Sequence, residues 1–110
     1  MSECPFCARI AGRAYDAGDQ WSVTFEPLNP VTRGHRLFVP RTHVADALAY
    51  PEITGYVMQY AARWAAGHRV GACNLITSCG AAATQTVLHL HVHLVPRREG
   101  DGLHLPWTGQ

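Results

Sequence analysis

Apolar and polar residues along this chain alternate with periods that shift from segment to segment, and these periods predict the elements. WSVTFEP, residues 21–27, places Trp21, Val23 and Phe25 on one face of a strand. RLFVP, residues 36–40, predicts a second strand ended by Pro40. From about Pro51 to His68 the period lengthens. Ile53, Val57, Tyr60 and Trp64 recur at i, i+4, i+7 and i+11, the stripe of a helix packed on a sheet, and Pro51 suits a first helical turn. CNLIT, residues 73–77, predicts a third strand, and VLHLHVHLVP, residues 87–96, a fourth. Between them SCGAAATQT, residues 78–86, is small and polar and reads as a loop; NPVTRGH, residues 29–35, is another. AGDQ, residues 17–20, reads as a turn, and CPFCARIAG as a short helical turn stopping at Gly12. Strands dominate, and the one long helix falls between strands two and three. That order predicts an α+β fold, a mainly antiparallel sheet with the helix on one face. No repeat or linker divides residues 1–110, so a single domain is expected.

Composition changes this picture little. A net charge of +1 is too balanced for nucleic-acid binding by bulk electrostatics, so any bound anion must be held locally. The N-terminus lacks the basic start and apolar run of a signal peptide, and no apolar stretch is long enough to span a bilayer, which makes a cytoplasmic location the expectation. In that compartment Cys4, Cys7, Cys73 and Cys79 are expected as free or metal-bound thiols.

The chemistry concentrates in HLHVHLVPR, residues 89–97. With a strand's period of two, His89, His91 and His93 share one face, roughly 6.5–7 Å apart. Leu88, Leu90, Val92 and Leu94 share the other, expected under the helix. Four uses are open to such a row: a solvated polar face, hydrogen bonding within the fold, metal binding, or catalysis. Ser, Thr, Lys or Glu would serve the first more simply. For the last, a neutral imidazole is a nucleophile and a protonated neighbour is an acid and donor.

HLHVHLV fits at every position the H-x-H-x-H-x-x signature of the histidine triad (HIT) proteins, and the chain resembles that family further back as well. RGHRLFVPRTHV, residues 33–44, is similar to its G-H-x-L-x-x-P-x-x-H segment. Gln85 stands four residues before His89, and CPFC matches a cysteine pair of bacterial members. The resemblance implies an enzyme acting on the α-phosphate of nucleoside phosphoramidates or dinucleoside polyphosphates. His91 would be the nucleophile, forming a nucleotidyl-histidine that water hydrolyses. His93 would bind a non-bridging phosphate oxygen, and His35 would orient its neighbours. Gln85 would contact the leaving-group or bridging oxygen. Ser78 and Gly80 would line the phosphate loop, with backbone donors around Thr84 to Thr86. A third-position His, where the uridylyltransferase branch carries Gln, favours the hydrolase branch. Two positions depart from the family pattern. Ser78 stands where many members have Asn, and Pro27 where an Asp binds ribose; Glu26 or Asn29 would take over that contact. Hence the alternative of a non-catalytic nucleotide-binding module with weakened turnover.

Cys4 and Cys7 form C-x-x-C without the preceding strand of a redox motif or the following His pair of a classical finger. A site completed from far along the chain remains, against two reduced cysteines as the plain alternative. The family resemblance supplies His43 of PRTH and His89, a closed Cys₂His₂ set for structural Zn²⁺. A catalytic metal on His89, His91 and His93 is the competing arrangement. The resemblance also implies a homodimer, to which Tyr56, Tyr60 and Trp64 would contribute. It further implies that Trp107 reaches either a neighbouring subunit or its own domain. His68 suits the negative end of the helix dipole, and His104 the surface.

Overall fold

The computed structural model describes residues 4–107. In chain order the elements are α1 (Pro5–Ala11), β1 (Ala17–Gly18), β2 (Ser22–Phe25), β3 (Arg36–Pro40), α2 (Pro51–Gly67), β4 (Cys73–Ile76), a 3-10 turn (Ala81–Ala83) and β5 (Val92–Pro96). The five strands form one antiparallel sheet in the order β1-β2-β3-β5-β4. The fold is α+β, as the order of periods predicts. β5 comes last in sequence but lies between β3 and β4, so His93 pairs with Leu37 on one side and Ile76 on the other.

Each face of the sheet has its own cover. Under α2, Phe38, Leu90, Val92 and Leu94 pack with Ile53, Val57 and Ala61, and Tyr60 and Trp64 close over them. Under α1, Phe6 packs with Val23, Phe25, Leu37 and Val39. Pro5 opens α1 and Gly12 caps it; Cys4 is its N-cap, with its sulfur accepting the Cys7 N–H at 3.3 Å. Arg36 joins sheet to helix. Its guanidinium lies 4.6 Å over the Trp64 ring, its Nε donates to Thr24 Oγ1, and it pairs with Asp16. His68 caps α2 as expected for its end, its Nδ1–H donating to the Trp64 carbonyl at 2.9 Å.

Three expectations need correction. Ala17–Gly18 is a short edge strand on β2, not part of a turn, because Asp16 N–H donates to the Thr24 carbonyl and extends the ladder. Trp21 does not join Val23 and Phe25. It precedes the strand and stacks on Tyr56 of α2, ring centroids 4.5 Å apart. The triad strand begins at Val92 and not at residue 87, since residues 87–89 bend. Leu88 is consequently 64% exposed instead of lying under the helix. The bend follows from Leu90 N–H donating to the Val44 carbonyl, outside the strand ladder.

Candidate active site and metal cluster

The histidines fall into two adjoining groups. In the first, Cys4, Cys7, His43 and His89 place one donor atom each within 4.8 Å of all the others. His43 Nδ1 and His89 Nδ1 are 3.2 Å apart; Cys7 Sγ is 3.2 Å from His43 Nδ1 and 3.6 Å from His89 Nδ1; Cys4 Sγ is 3.4 Å from His89 Nδ1. A tetrahedral ion with Zn–S of about 2.3 Å and Zn–N of about 2.0 Å has donor–donor edges of about 3.3–3.8 Å. The four separations of 3.2–3.6 Å lie close to those edges. His89 is fully buried, and its Nε2–H donates to the Pro40 carbonyl at 2.9 Å. That bond leaves the Nδ1 lone pair facing the sulfurs, the outer-shell arrangement of a ligating histidine. Burial, then the hydrogen bond and charge of Cys4, push the Cys7 thiol up, a shift that a cation beside the sulfur would oppose. These four residues could hold a metal ion.

The second group is His35, His91 and His93. His91 is 8% exposed, and its Nδ1–H donates to the His89 carbonyl at 2.8 Å. A carbonyl only accepts, so the neutral ring keeps its lone pair on Nε2. His35 has the opposite assignment: Val31 N–H donates to its Nδ1 at 3.1 Å, which puts the proton on Nε2. That Nε2 is 2.9 Å from His93 Nδ1, which therefore accepts, and the His93 proton sits on Nε2. A lone pair on His91 and an N–H on His93 thus stand side by side on rings 5.2 Å apart. Gly34, at φ +87°, turns the chain into His35; a Cβ there would lie 3.1 Å from Pro96 Cγ, so backbone angle and space both call for glycine.

Burial holds both partners of this relay neutral. His93 is lowered from 6.5 to about 4 by burial and then by His91 and His35; burial also lowers His35. Between pH 4 and 6.5 the unfolded chain therefore binds a proton at His93 that the folded chain excludes. Stability is complete above about 6.5 and falls as pH drops toward 4. After allowance for solvent screening, His93 alone contributes about 1 kcal/mol to the difference between pH 7.5 and pH 5. Urea midpoints at the two pH values check this: the drop should be smaller in His93→Gln than in the parent, and an equal drop would refute it.

The remaining residues singled out in the sequence lie at varied distances from these groups. Ser78 lines a cleft of about 300 Å³ with His35, His93 and Thr84. Gly80, at φ +90°, and Gln85 form a closed loop. Gln85 Oε1 accepts the Gly80 N–H at 2.8 Å, while its Nε2 donates to the carbonyls of Ala45 and Val87. Gln85 is buried, and its two amide hydrogens are used inside the fold. Thr84 and Gln85 N–H groups likewise donate to Ala81 and Gly80, so among these three donors only that of Thr86 is not spent inside the loop. Glu26 and Asn29 are exposed beyond the end of β2. Trp107 is 74% exposed.

Two contributors escaped the sequence reading. Phe6 sets its ring edge-on to both His89 and His91, at 5.8 and 5.1 Å, and so links the two groups. Its place between the paired cysteines was the available signal. Arg97 clamps Asp101, Asn74 and the Leu103 carbonyl. The clamp brings Leu103, His104 and Leu105 onto the wall of the cleft with His35 and His93; its i,i+4 spacing to Asp101 was legible. The pair holds Asp101 well below the usual carboxylate range, the hydrogen bond from Arg97 being the main cause.

An α+β sheet with paired, oppositely protonated histidines beside a Cys/His cluster defines a small histidine-based domain in which a metal-competent clip adjoins the candidate reactive rings. The HIT domain family matches residues 17–100, and the chain belongs to that family. An uncharacterised HIT-like protein of Mycobacterium tuberculosis is 38% identical over 112 residues, covering 91% of this chain and 75% of its own. Adenosine 5′-monophosphoramidase of Saccharomyces cerevisiae is 33% identical over 93 residues, covering 83% of this chain and 59% of its own. Among solved structures, a Zn-bound histidine triad family protein from Mycobacterium smegmatis superposes with a TM-score of 0.77 at 38% identity, covering 93% of this chain and 80% of that one. Among the described residues, no helix is long and apolar enough to cross a membrane.

Proposed function

We propose that this protein is a nucleotide phosphohydrolase or phosphoramidase that attacks the α-phosphorus of nucleoside phosphoramidates or dinucleoside polyphosphates through His91. The observation that carries this reading is the pair of hydrogen bonds fixing opposite protonation patterns on His91 and His93. The His91 Nε2 lone pair forms a bond to phosphorus as the P–N or P–O bond to the leaving group breaks. The leaving group departs with that electron pair and takes a proton from solvent water. The His91 Nδ1–H stays bonded to the His89 carbonyl and stabilises the positive charge gained by the ring. His93 Nε2–H, backed by His35, donates to a non-bridging oxygen where charge accumulates. Water then attacks the nucleotidyl-histidine, releases the nucleoside monophosphate and restores the ring. The yeast relative's named activity supports this class of substrate.

The Cys4, Cys7, His43 and His89 set is assigned structural Zn²⁺, supported by the donor geometry and by the Zn-bound mycobacterial relative. Four protein donors close the coordination sphere and leave no position for substrate. Bound metal would clip α1 to the segment preceding β5, which holds Phe6 against His91.

Adenosine 5′-phosphoramidate and a dinucleoside polyphosphate test the reading. Monophosphate should be released, and rapid acid-free quenching followed by intact-mass analysis should find a nucleotidyl adduct on the peptide containing His91. Binding without turnover of any such compound would replace this reading with a non-catalytic nucleotide-binding module.

A further inference from the structure

The cleft of about 300 Å³ beside the histidine relay has a second histidine-bearing wall. Leu103, His104 and Leu105 line it together with His35, His93 and Thr84, and His91 does not. In-line displacement sends the leaving group to the side of phosphorus opposite the attacking nitrogen. The cleft is the space for it next to His93, the ring assigned to the phosphate.

His104, which the sequence placed at the surface, is exposed, yet the chain around it is fixed. Gly100, at φ +75°, sits in the turn after β5. The Asp101 carboxylate accepts the N–H groups of Arg98 and Leu103 at 3.0 Å each, and Arg97 donates to the Leu103 carbonyl at 2.6 Å. Both backbone polar groups of Leu103 are thereby held, and His104 is the next residue. No hydrogen bond or ion pair among the described residues occupies its ring.

Departure of an amine from phosphorus needs a proton on nitrogen. The side chains on the cleft that carry an ionisable proton are His35, His93, Arg97 and His104. Burial lowers His35, and His93 is lowered to about 4, so both are neutral. A neutral ring could give up its N–H only by becoming an imidazolate. Arg97 is engaged by Asp101, Asn74 and Leu103, and a guanidinium does not give up its proton in a protein. Imidazole outside the buried relay is the remaining group of the right acidity.

We propose that His104 is a catalytic residue of this protein, the general acid through which a solvent proton reaches the leaving group. The inference rests on the hydrolase reading above and adds the proton donor to it. As the His91 Nε2–phosphorus bond forms and the P–N bond breaks, the electron pair of that bond goes to the leaving nitrogen. That nitrogen takes the proton of the His104 imidazolium and departs as a neutral amine. The His104 ring, now neutral, regains a proton from water.

The experiment compares kcat/KM of the parent and His104→Gln on two substrates. Adenosine 5′-(N-butyl)phosphoramidate releases an alkylamine that cannot leave unprotonated. Adenosine 5′-(4-nitrophenyl) phosphate releases a phenolate that can. His104→Gln should fall by about a hundredfold or more on the first, the usual worth of a general acid, and by much less on the second. A wall residue with no part in proton transfer would affect both alike. Circular dichroism is the folding control, and the exposed, unbonded ring makes the substitution compatible with the fold. Equal losses on the two substrates, or no loss on either, overturn the role of His104 and leave the hydrolase reading standing. Failure of the parent to turn over either compound removes the hydrolase reading and this inference with it.

Discussion

Replacing His91 with Ala should lower turnover of a nucleoside phosphoramidate by at least about a thousandfold, the scale seen when a covalent nucleophile is removed. The loss should fall on kcat, because the imidazole is assigned to bond formation in the transition state. Folding should persist. The backbone at this position is held by Thr77 Oγ1, which donates to the His91 carbonyl at 2.8 Å and is untouched by the substitution. The lost Nδ1 bond goes to the His89 carbonyl, at a cost of about 1 kcal/mol. His93→Gln should be milder, since an amide N–H can still reach a phosphate oxygen. Steady-state kinetics with circular dichroism as the folding control reads both outcomes. Turnover surviving in His91→Ala would move the nucleophile elsewhere and undo the proposed mechanism.

Stripping metal from the protein should unfold or strongly destabilise it, and activity should fall only in step with that unfolding. The Cys/His cluster joins α1, the segment after β3 and the bend before β5, so an ion there links three parts of a small domain. At free zinc a thousandfold above Kd, binding contributes about 4 kcal/mol, a large share of the roughly 5–15 kcal/mol that holds a domain together. His43 is exposed, which gives a chelator access. Metal analysis should find about one zinc per chain, and Cys7→Ser should lower both metal content and the urea midpoint. A folded but inactive metal-free form would instead indicate a catalytic ion on His89, His91 and His93. The hydrogen bonds argue against that arrangement. His89 Nε2 is spent on the Pro40 carbonyl, and its one free nitrogen, Nδ1, faces the Cys4, Cys7 and His43 donors.

Local pattern was enough for most of the elements. A 3.6-residue period marked α2, with Ile53 and Val57 buried as its stripe implies. RLFVP forms β3 over all five residues. The alternation in the triad places Leu90, Val92 and Leu94 under α2 and turns the histidines toward the other side. Where the sequence reading failed, a long-range contact had overridden a local period. Trp21 is drawn out of its strand's alternation by Tyr56, 35 positions away, and Leu88 is turned outward where the chain bends to reach Val44. No window of sequence contains those partners.

The site divides in the same way. Residue types and spacing alone marked the triad and the C-x-x-C pair, because strand geometry puts alternate side chains on one face and a helical turn brings residues three apart together. Which nitrogen of each ring carries the proton depends on partners that only folding supplies. These are the Val31 N–H for His35, the His89 carbonyl for His91 and the Pro40 carbonyl for His89. Phe6 between the two histidine groups and Arg9 over Phe25 are likewise products of α1 docking on the sheet. The chain's own order determined that three imidazoles would occur at alternate positions; the folded backbone decided what each one faces, since a hydrogen bond requires its partner in place.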